Sequence, residues 1–235
     1  MKVVLLTSDA NQMGCSLMHA YLQAEGMPFS HVIVVPEPDS LDFPTWLKPY
    51  VAWKLLGVRG IIRWLRRKLG RRTMTREDLA AGYDLGWPVA CAINDAPLTY
   101  VKSVNGTNGK ALLQQLNPDL IISIGLPEIL HKDVLAIPRI GALNVHNGRL
   151  PAYRGHFATF WEYYNQEARG YVTVHLMAER VDTGQILQVS SVALSALFSK
   201  TLEGKKILGG KLLATVVTEI AQTGRIPDAE LLDET

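Results

Sequence analysis

Residues 2–35, KVVLLTSDANQMGCSLMHAYLQAEGMPFSHVIVV, decide the fold. Lys2–Thr7 is a short run of β-branched residues and leucine, the composition of a strand buried on both faces. Asn11–Gly26 reads as a helix stopped by its glycine. His31–Val35 is a second apolar strand. Strand, helix and strand in this order predict an α/β protein with a Rossmann-like, doubly wound and mostly parallel sheet. Farther along, Pro88–Ile93 is expected to be a third strand, and Asp119–Ile124, DLIISI, another. A helix between the Val104–Asn108 turn and Leu116 must stop before Pro118. Thr75–Gly82 carries the pattern of a capped helix, with Thr75 three residues before Asp78. Thr201–Gln222 repeats apolar residues every three to four positions, so a carboxy-terminal helix packs on the core or on a partner. The expected organisation is residues 1–195 as the main domain and residues 196–235 as a short helical extension and tail.

With 235 residues and 48% hydrophobic content, the chain is long enough to bury a large core and too apolar for wholesale disorder. A formal charge of +2 excludes a general polyanion binder. Cys15 and Cys91 make no metal-like pair and no disulfide framework, which suits a reducing compartment. The apolar start, MKVVLLTSDA, is too short for a signal peptide, and no stretch approaches the ~20 apolar residues of a membrane span. A cytoplasmic location is the expectation. His19, His31, His131, His156 and His175 show no ligand spacing, so no metal is expected. His175 falls on a strand pattern as a core or wall residue.

The chemistry concentrates in Gly141–Gly155, GALNVHNGRLPAYRG. On a strand, Ala142, Asn144 and His146 share one face and Leu143 and Val145 the other. Asn144 and His146 then lie about 7 Å apart where the strand opens into the Asn147–Gly148 turn. An amide and an imidazole so placed can act on one small polar group, or can cap the strand end. A helix over His156–Tyr164 follows, then strands over Gly170–Leu176 and Gln185–Val192.

Asn144-Val145-His146, Leu150-Pro151-Ala152-Tyr153-Arg154-Gly155, Val172-Thr173-Val174-His175 and Asp182-Thr183-Gly184 with Ile186-Leu187 resemble, in order and spacing, the 10-formyltetrahydrofolate-dependent formyltransferase family. The resemblance runs from about Pro118 to Val192 and is nearest to the sugar N-formyltransferases. It implies the formyltransferase fold for the domain and transfer of a formyl group from 10-formyltetrahydrofolate to a primary amine. Asn144, His146 and Asp182 would be catalytic. Asn144 would donate to the formyl oxygen, His146 would take or relay a proton or, when charged, stabilise the oxyanion, and Asp182 would orient His146 or hold a relaying water. Glu128, Ile129, Leu130, Ala178 and Val181 would line the folate pocket. Ser8, Asp9, Asn11, Asn147, Tyr153 and Arg154 would face the acceptor, with Arg154 holding an anion or bridging structure. The chain departs from the family pattern after the histidine, where Asn147-Gly148-Arg149 replaces a segment containing serine.

The Ser8–Gly14 loop lacks the glycine-rich phosphate loop of glycinamide ribonucleotide formyltransferases. The residues after Gln222 leave no room for the β-barrel of methionyl-tRNA formyltransferase. An amino sugar on a nucleotide is therefore the expected acceptor, with glycinamide ribonucleotide and a non-catalytic folate-binding or membrane-surface module as alternatives. Nucleic acid is not expected as a partner. The segment from about residue 45 to residue 76 adds a further question. Lys48–Arg76 is basic with no acidic residue, and Trp46, Trp53 and Trp64 stand in and beside it. Three readings fit: an amphipathic insertion packed on the domain, a weak membrane-surface contact, or electrostatic steering of an anionic substrate. A homodimer is also compatible with the pattern.

Overall fold

The computed structural model describes residues 1–8, 12–36, 87, 91–92 and 95–228. The basic segment, the helix expected over Thr75–Gly82, and Asp9 and Asn11 lie outside these residues. Among the described residues twelve elements follow one another: β1 (Val3–Ser8), α1 (Gln12–Gln23), β2 (His31–Val35), β3 (Leu98–Tyr100), α2 (Thr107–Leu116), β4 (Leu120–Ile124), α3 (Lys132–Leu135), β5 (Gly141–His146), α4 (Ala158–Tyr164), β6 (Arg169–Leu176), β7 (Ile186–Ala193) and α5 (Phe198–Thr223). The strands form one seven-stranded sheet in the order β3-β2-β1-β4-β5-β6-β7.

β1 is an interior strand and every one of its six residues is buried. It pairs in parallel with β2 and β4, with Leu5 opposite Val32 on one side and Ile122 on the other. The strand alternation feeds two cores. Val3, Leu5, Val32, Ile122, Leu143 and Val172 pack with Leu17, Met18 and Tyr21 of α1 and with Leu213, Val217 and Ile220 of α5. Val4, Leu6, Ile33 and Ile121 pack on the other face against Leu113 of α2, Leu130 and Val134. Both faces of the sheet are covered, which is why its strands read as unbroken apolar runs. α5 is part of the larger core and contacts α1, β6 and β7.

Two features differ from expectation. The third strand is Leu98–Tyr100, not Pro88–Ile93; within the latter span the described residues Cys91 and Ala92 are helical. Three residues at a sheet edge are too few to show a period, whereas Cys91 is apolar because it is buried under the sheet. α4 starts at Ala158 because Phe157 takes a left-handed conformation at φ 61°. The sheet is mostly parallel as expected, and only the β5–β6 and β6–β7 pairs are antiparallel. The loop from β6 to β7 has no crossover element, so it can only return the chain antiparallel.

Helix ends follow local chemistry. Asn117 closes α2 in a left-handed conformation, its N–H bonded to the Leu113 carbonyl, and Pro118 prevents continuation. Among the described residues no helix is long and apolar enough to cross a membrane.

Candidate active site

A cleft of about 510 Å³ opens at the carboxyl ends of β4 and β5, where open α/β sheets bind ligands. One wall is the segment from Gly125 to Leu130 with Met177, Ala178, Arg180 and Val181. The other holds His156, Phe157, Phe160, Phe198, Leu202 and Lys206. Asn144, His146, His175 and Asp182 line it between them.

The antiparallel register of β5 and β6 places Asn144 directly opposite His175. The Asn144 amide nitrogen lies 3.1 Å from His175 Nε2. His175 Nδ1 lies 2.7 Å from the Leu176 carbonyl, which can only accept, so Nδ1 carries a proton. In the neutral ring Nε2 then accepts from Asn144. That bond turns the amide nitrogen inward and leaves its second N–H available.

His146 Nε2 donates to the Tyr153 carbonyl at 2.6 Å. Its Nδ1 faces Asp182 Oδ2 at 3.4 Å. The other Asp182 oxygen faces His175 Nε2, also at 3.4 Å. Asp182 is held by its own backbone as much as by its side chain. It sits at φ 49°, in the left-handed region that few non-glycine residues occupy. Oδ2 accepts the Gly155 N–H at 2.8 Å, and the Asp182 carbonyl accepts Arg154 Nε at 3.1 Å.

The electrostatics follow from burial and neighbours. Desolvation lowers the His146 pKa; the Asp182 charge and the Tyr153 carbonyl oppose this but do not cancel it. The ring is therefore neutral near pH 7, with its open lone pair on Nδ1. For Asp182, burial pulls upward, yet the N–H and charge that His175 and His146 present when protonated, with the Gly155 N–H, hold it below the usual carboxylate value. The site thus presents an ionised acid, a neutral base and an amide donor side by side.

Loop chemistry keeps this cluster in place. A Cβ at Gly148 would stand 2.5 Å from the Ala158 Cβ and 2.9 Å from His146 Nε2, so only glycine lets the turn pass so close. Thr173 Oγ1 donates to the Gly148 carbonyl at 2.7 Å and ties the turn to β6.

The remaining candidates separate by location. Glu128, Ile129, Leu130, Ala178 and Val181 all line the cleft. The Glu128 carboxylate, however, is turned away from any ligand: it accepts Ser103 Oγ at 2.6 Å, the Val104 N–H at 2.9 Å and Asn105 Nδ2 at 3.0 Å. Its part is to brace the wall. Asn147 lines the cleft, and its Oδ1 is buried without a hydrogen-bond partner among the described residues. Tyr153 does not line the cleft. Its hydroxyl donates to Glu167 and accepts from Asn165. Arg154 also stands outside the lining and bridges to the Asp182 backbone, the structural alternative. Ser8 is buried at the end of β1, where its carbonyl accepts the Trp87 indole N–H. Sequence reasoning treated His175 as a core or wall residue; its contact with both Asn144 and Asp182 was readable only once the strand register was known. Among the described residues no cluster of three or more metal-ligating side chains occurs.

Residues 88–204, just under half of the chain, match the model of the formyl transferase family. A bifunctional polymyxin resistance protein, ArnA, from Wigglesworthia glossinidia brevipalpis is 37% identical over 98 residues, which cover 42% of this chain and 15% of that protein. The chain therefore spans only a small part of that relative. Two solved structures share the fold. A phosphoribosylglycinamide formyltransferase from Anaplasma phagocytophilum superimposes with a TM-score of 0.62 at 17% identity, covering 99% of this chain and 95% of its own. A sugar N-formyltransferase from a Shewanella species superimposes with a TM-score of 0.57 at 15% identity, covering 100% of this chain and 75% of its own.

Proposed function

We propose that this protein transfers a formyl group from 10-formyltetrahydrofolate to a primary amine, with an amino sugar on a nucleotide as the acceptor. The observation that carries the reading is the contact set of Asn144, His146, His175 and Asp182 on one cleft. A folate binder without catalysis has no use for an ionised acid beside a neutral imidazole and an inward amide.

The cleft suits the donor. Its Gly125–Leu130 wall offers apolar side chains and exposed backbone groups, as a flat heterocycle requires. 10-Formyltetrahydrofolate supplies the formyl group on a nitrogen that can leave. The free N–H of Asn144 donates to the formyl oxygen as negative charge grows there. One such donor is worth ~2.7–4 kcal/mol. The amine's proton goes to Nδ1 of His146, since Nε2 is occupied by the Tyr153 carbonyl, and Asp182 stabilises the resulting imidazolium. The proton then returns to the departing nitrogen, so the site ends as it began.

The acceptor follows from the second wall. Phe157, Phe160 and Phe198 offer ring faces, Lys206 brings positive charge, and Arg180 adds a second cation from the first wall. Flat rings plus cations suit a nucleotide. The similarity to a sugar N-formyltransferase supports the same choice. Glycinamide ribonucleotide is the alternative acceptor, and the absence of a glycine-rich Ser8–Gly14 loop weighs against it.

The test incubates the protein with 10-formyltetrahydrofolate and a panel of nucleotide-linked amino sugars, glycinamide ribonucleotide and simple amines, following released tetrahydrofolate and product mass. Transfer to an amino sugar nucleotide is expected. Tight folate binding with no transfer to any amine of the panel would leave a binding module in place of the enzyme.

A further inference from the structure

Lys205 on α5 and Glu162 on α4 form an ion pair whose two side chains are both fully buried, with Nζ 2.5 Å from Oε2. A buried ammonium is costly unless each of its three N–H groups finds an acceptor. Here each does. Besides Glu162, Nζ donates to Thr159 Oγ1 at 2.9 Å and to the Asn147 carbonyl at 3.0 Å. The second Glu162 oxygen accepts the Tyr171 N–H of β6 at 2.9 Å. Burial pushes Lys205 down and Glu162 up, and their contact pulls each back. The hydrogen bonds decide the state: every Nζ–H donates and both carboxylate oxygens accept, which fits the charged pair.

Apolar residues of similar volume would fill this space at least as well, because desolvation offsets most of the attraction in a buried pair. What an apolar filling cannot do is hold a carbonyl. The carbonyl held is that of Asn147, the residue after His146, and Thr159 Oγ1 donates to the same oxygen at 3.1 Å. The surroundings are shaped to admit the pair. A Cβ at Gly170 would lie 2.7 Å from Lys205 Cε and 3.2 Å from Glu162 Oε2. The network joins α4, β6 and α5 to the end of β5.

We propose that the Lys205–Glu162 pair is a positioning device for the catalytic strand end, fixing the His146–Asn147 backbone and with it the His146 ring and the Asn147 amide relative to Asp182. Its catalytic consequence rests on the formyl-transfer reading; its geometric content does not. The charged and titratable groups around His146 are Asp182 after β6, His175 on β6, Lys205 on α5 and Glu162 on α4. The Tyr153 carbonyl holds the far ring nitrogen. Desolvation chiefly disfavours a charged His146, and His175 and then Lys205 add to it, against Asp182 and the Tyr153 carbonyl.

The experiment uses the full chain without substrate. Wild type is compared with Lys205→Met, and with the charge-free double variant Lys205→Met/Glu162→Gln, by thermal unfolding and by NMR titration of the His146 ring, assigned through its loss in His146→Gln. The single variant melts lower because it leaves a buried carboxylate unpaired, and the second substitution rescues it to within about 4 °C of wild type. In the rescued protein the His146 midpoint rises by roughly half a unit or more, since the released turn admits water to the ring and relieves its desolvation, while the opposite charges of Lys205 and Glu162 are removed together. A folded double variant whose His146 titrates as in wild type overturns the proposal. If the double variant does not fold, Thr159→Val, which removes one hydroxyl from the network without stranding a charge, serves instead. A smaller rise is expected there, and no rise refutes. Should His146 respond while no amine accepts a formyl group, the positioning role stands and the formyl-transfer reading falls.

Discussion

Replacing Asp182 with asparagine tests the charge logic of the site while sparing its shape. Asparagine tolerates the left-handed φ of 49°, and its carbonyl oxygen can accept the Gly155 N–H that Oδ2 now accepts. What disappears is one negative charge 3.4 Å from His146 Nδ1. At an effective dielectric of about 20, a unit pair at that distance interacts by ~5 kcal/mol before desolvation is counted. Net effects of one adjacent charge on a pKa run to about 1–3 units. The sign is fixed: the carboxylate favours the imidazolium, so its loss lowers a His146 pKa that burial has already depressed. The ring would then stay neutral well into the acid range and accept the amine's proton poorly. Transfer should fall by ~10²–10⁴-fold, the usual worth of a positioned acid–base group. Ring-proton NMR reads the first effect and the tetrahydrofolate release assay the second. A His146 midpoint that stays put or rises in a folded Asp182→Asn protein would refute the proposed coupling.

Three further outcomes are expected. The folded pKa of His146 lies below its unfolded value, so its contribution to stability is fully present above about pH 6.5 and is lost as pH falls; His146→Gln should flatten the decline of melting temperature on the acid side of that pH, and an unchanged decline would contradict it. Glu128→Ala removes the acceptor of Ser103, Val104 and Asn105 and should weaken binding of 5-formyltetrahydrofolate, measured by fluorescence titration, by about tenfold, as expected for loss of ~1.4 kcal/mol of bracing. Tyr153→Phe removes an exposed hydroxyl outside the cleft and should cost no more than ~1 kcal/mol of stability by chemical denaturation, with transfer rates kept; a large rise in acceptor KM would return Tyr153 to the binding surface.

The sheet was legible where its strands are buried on both faces. Val3–Ser8, Leu120–Ile124 and Gly141–His146 carry their position in composition alone, because only a two-sided core favours such runs. Leu98–Tyr100 was not legible, since three edge residues carry no period and Tyr100 is half exposed. The Asn144–His146 spacing could be read because alternation along one strand is a local property. Asp182 came from resemblance: Asp-Thr-Gly by itself describes a turn, and the carboxylate reaches His146 only through the way β6 and β7 are joined. Lys205 and Glu162 gave no signal at all. They are 43 positions apart, and each taken singly belongs on a solvated helix face; only packing of α5 over α4 turns them inward.

The pairing of β5 with β6 has a consequence for how such a protein can diversify. Asn144 and His175 meet because two backbones are zipped in one register, and that register is indifferent to the residues on the opposite wall of the cleft. If the proposed formyl transfer holds, exchanges at Phe157, Phe160 or Phe198 are expected to alter which amine is accepted without disturbing the Asn144, His146 and Asp182 cluster. Reaction and clientele are thereby mounted on separate parts of the frame, and a library randomised at those three rings would sample new acceptors against a constant chemical background.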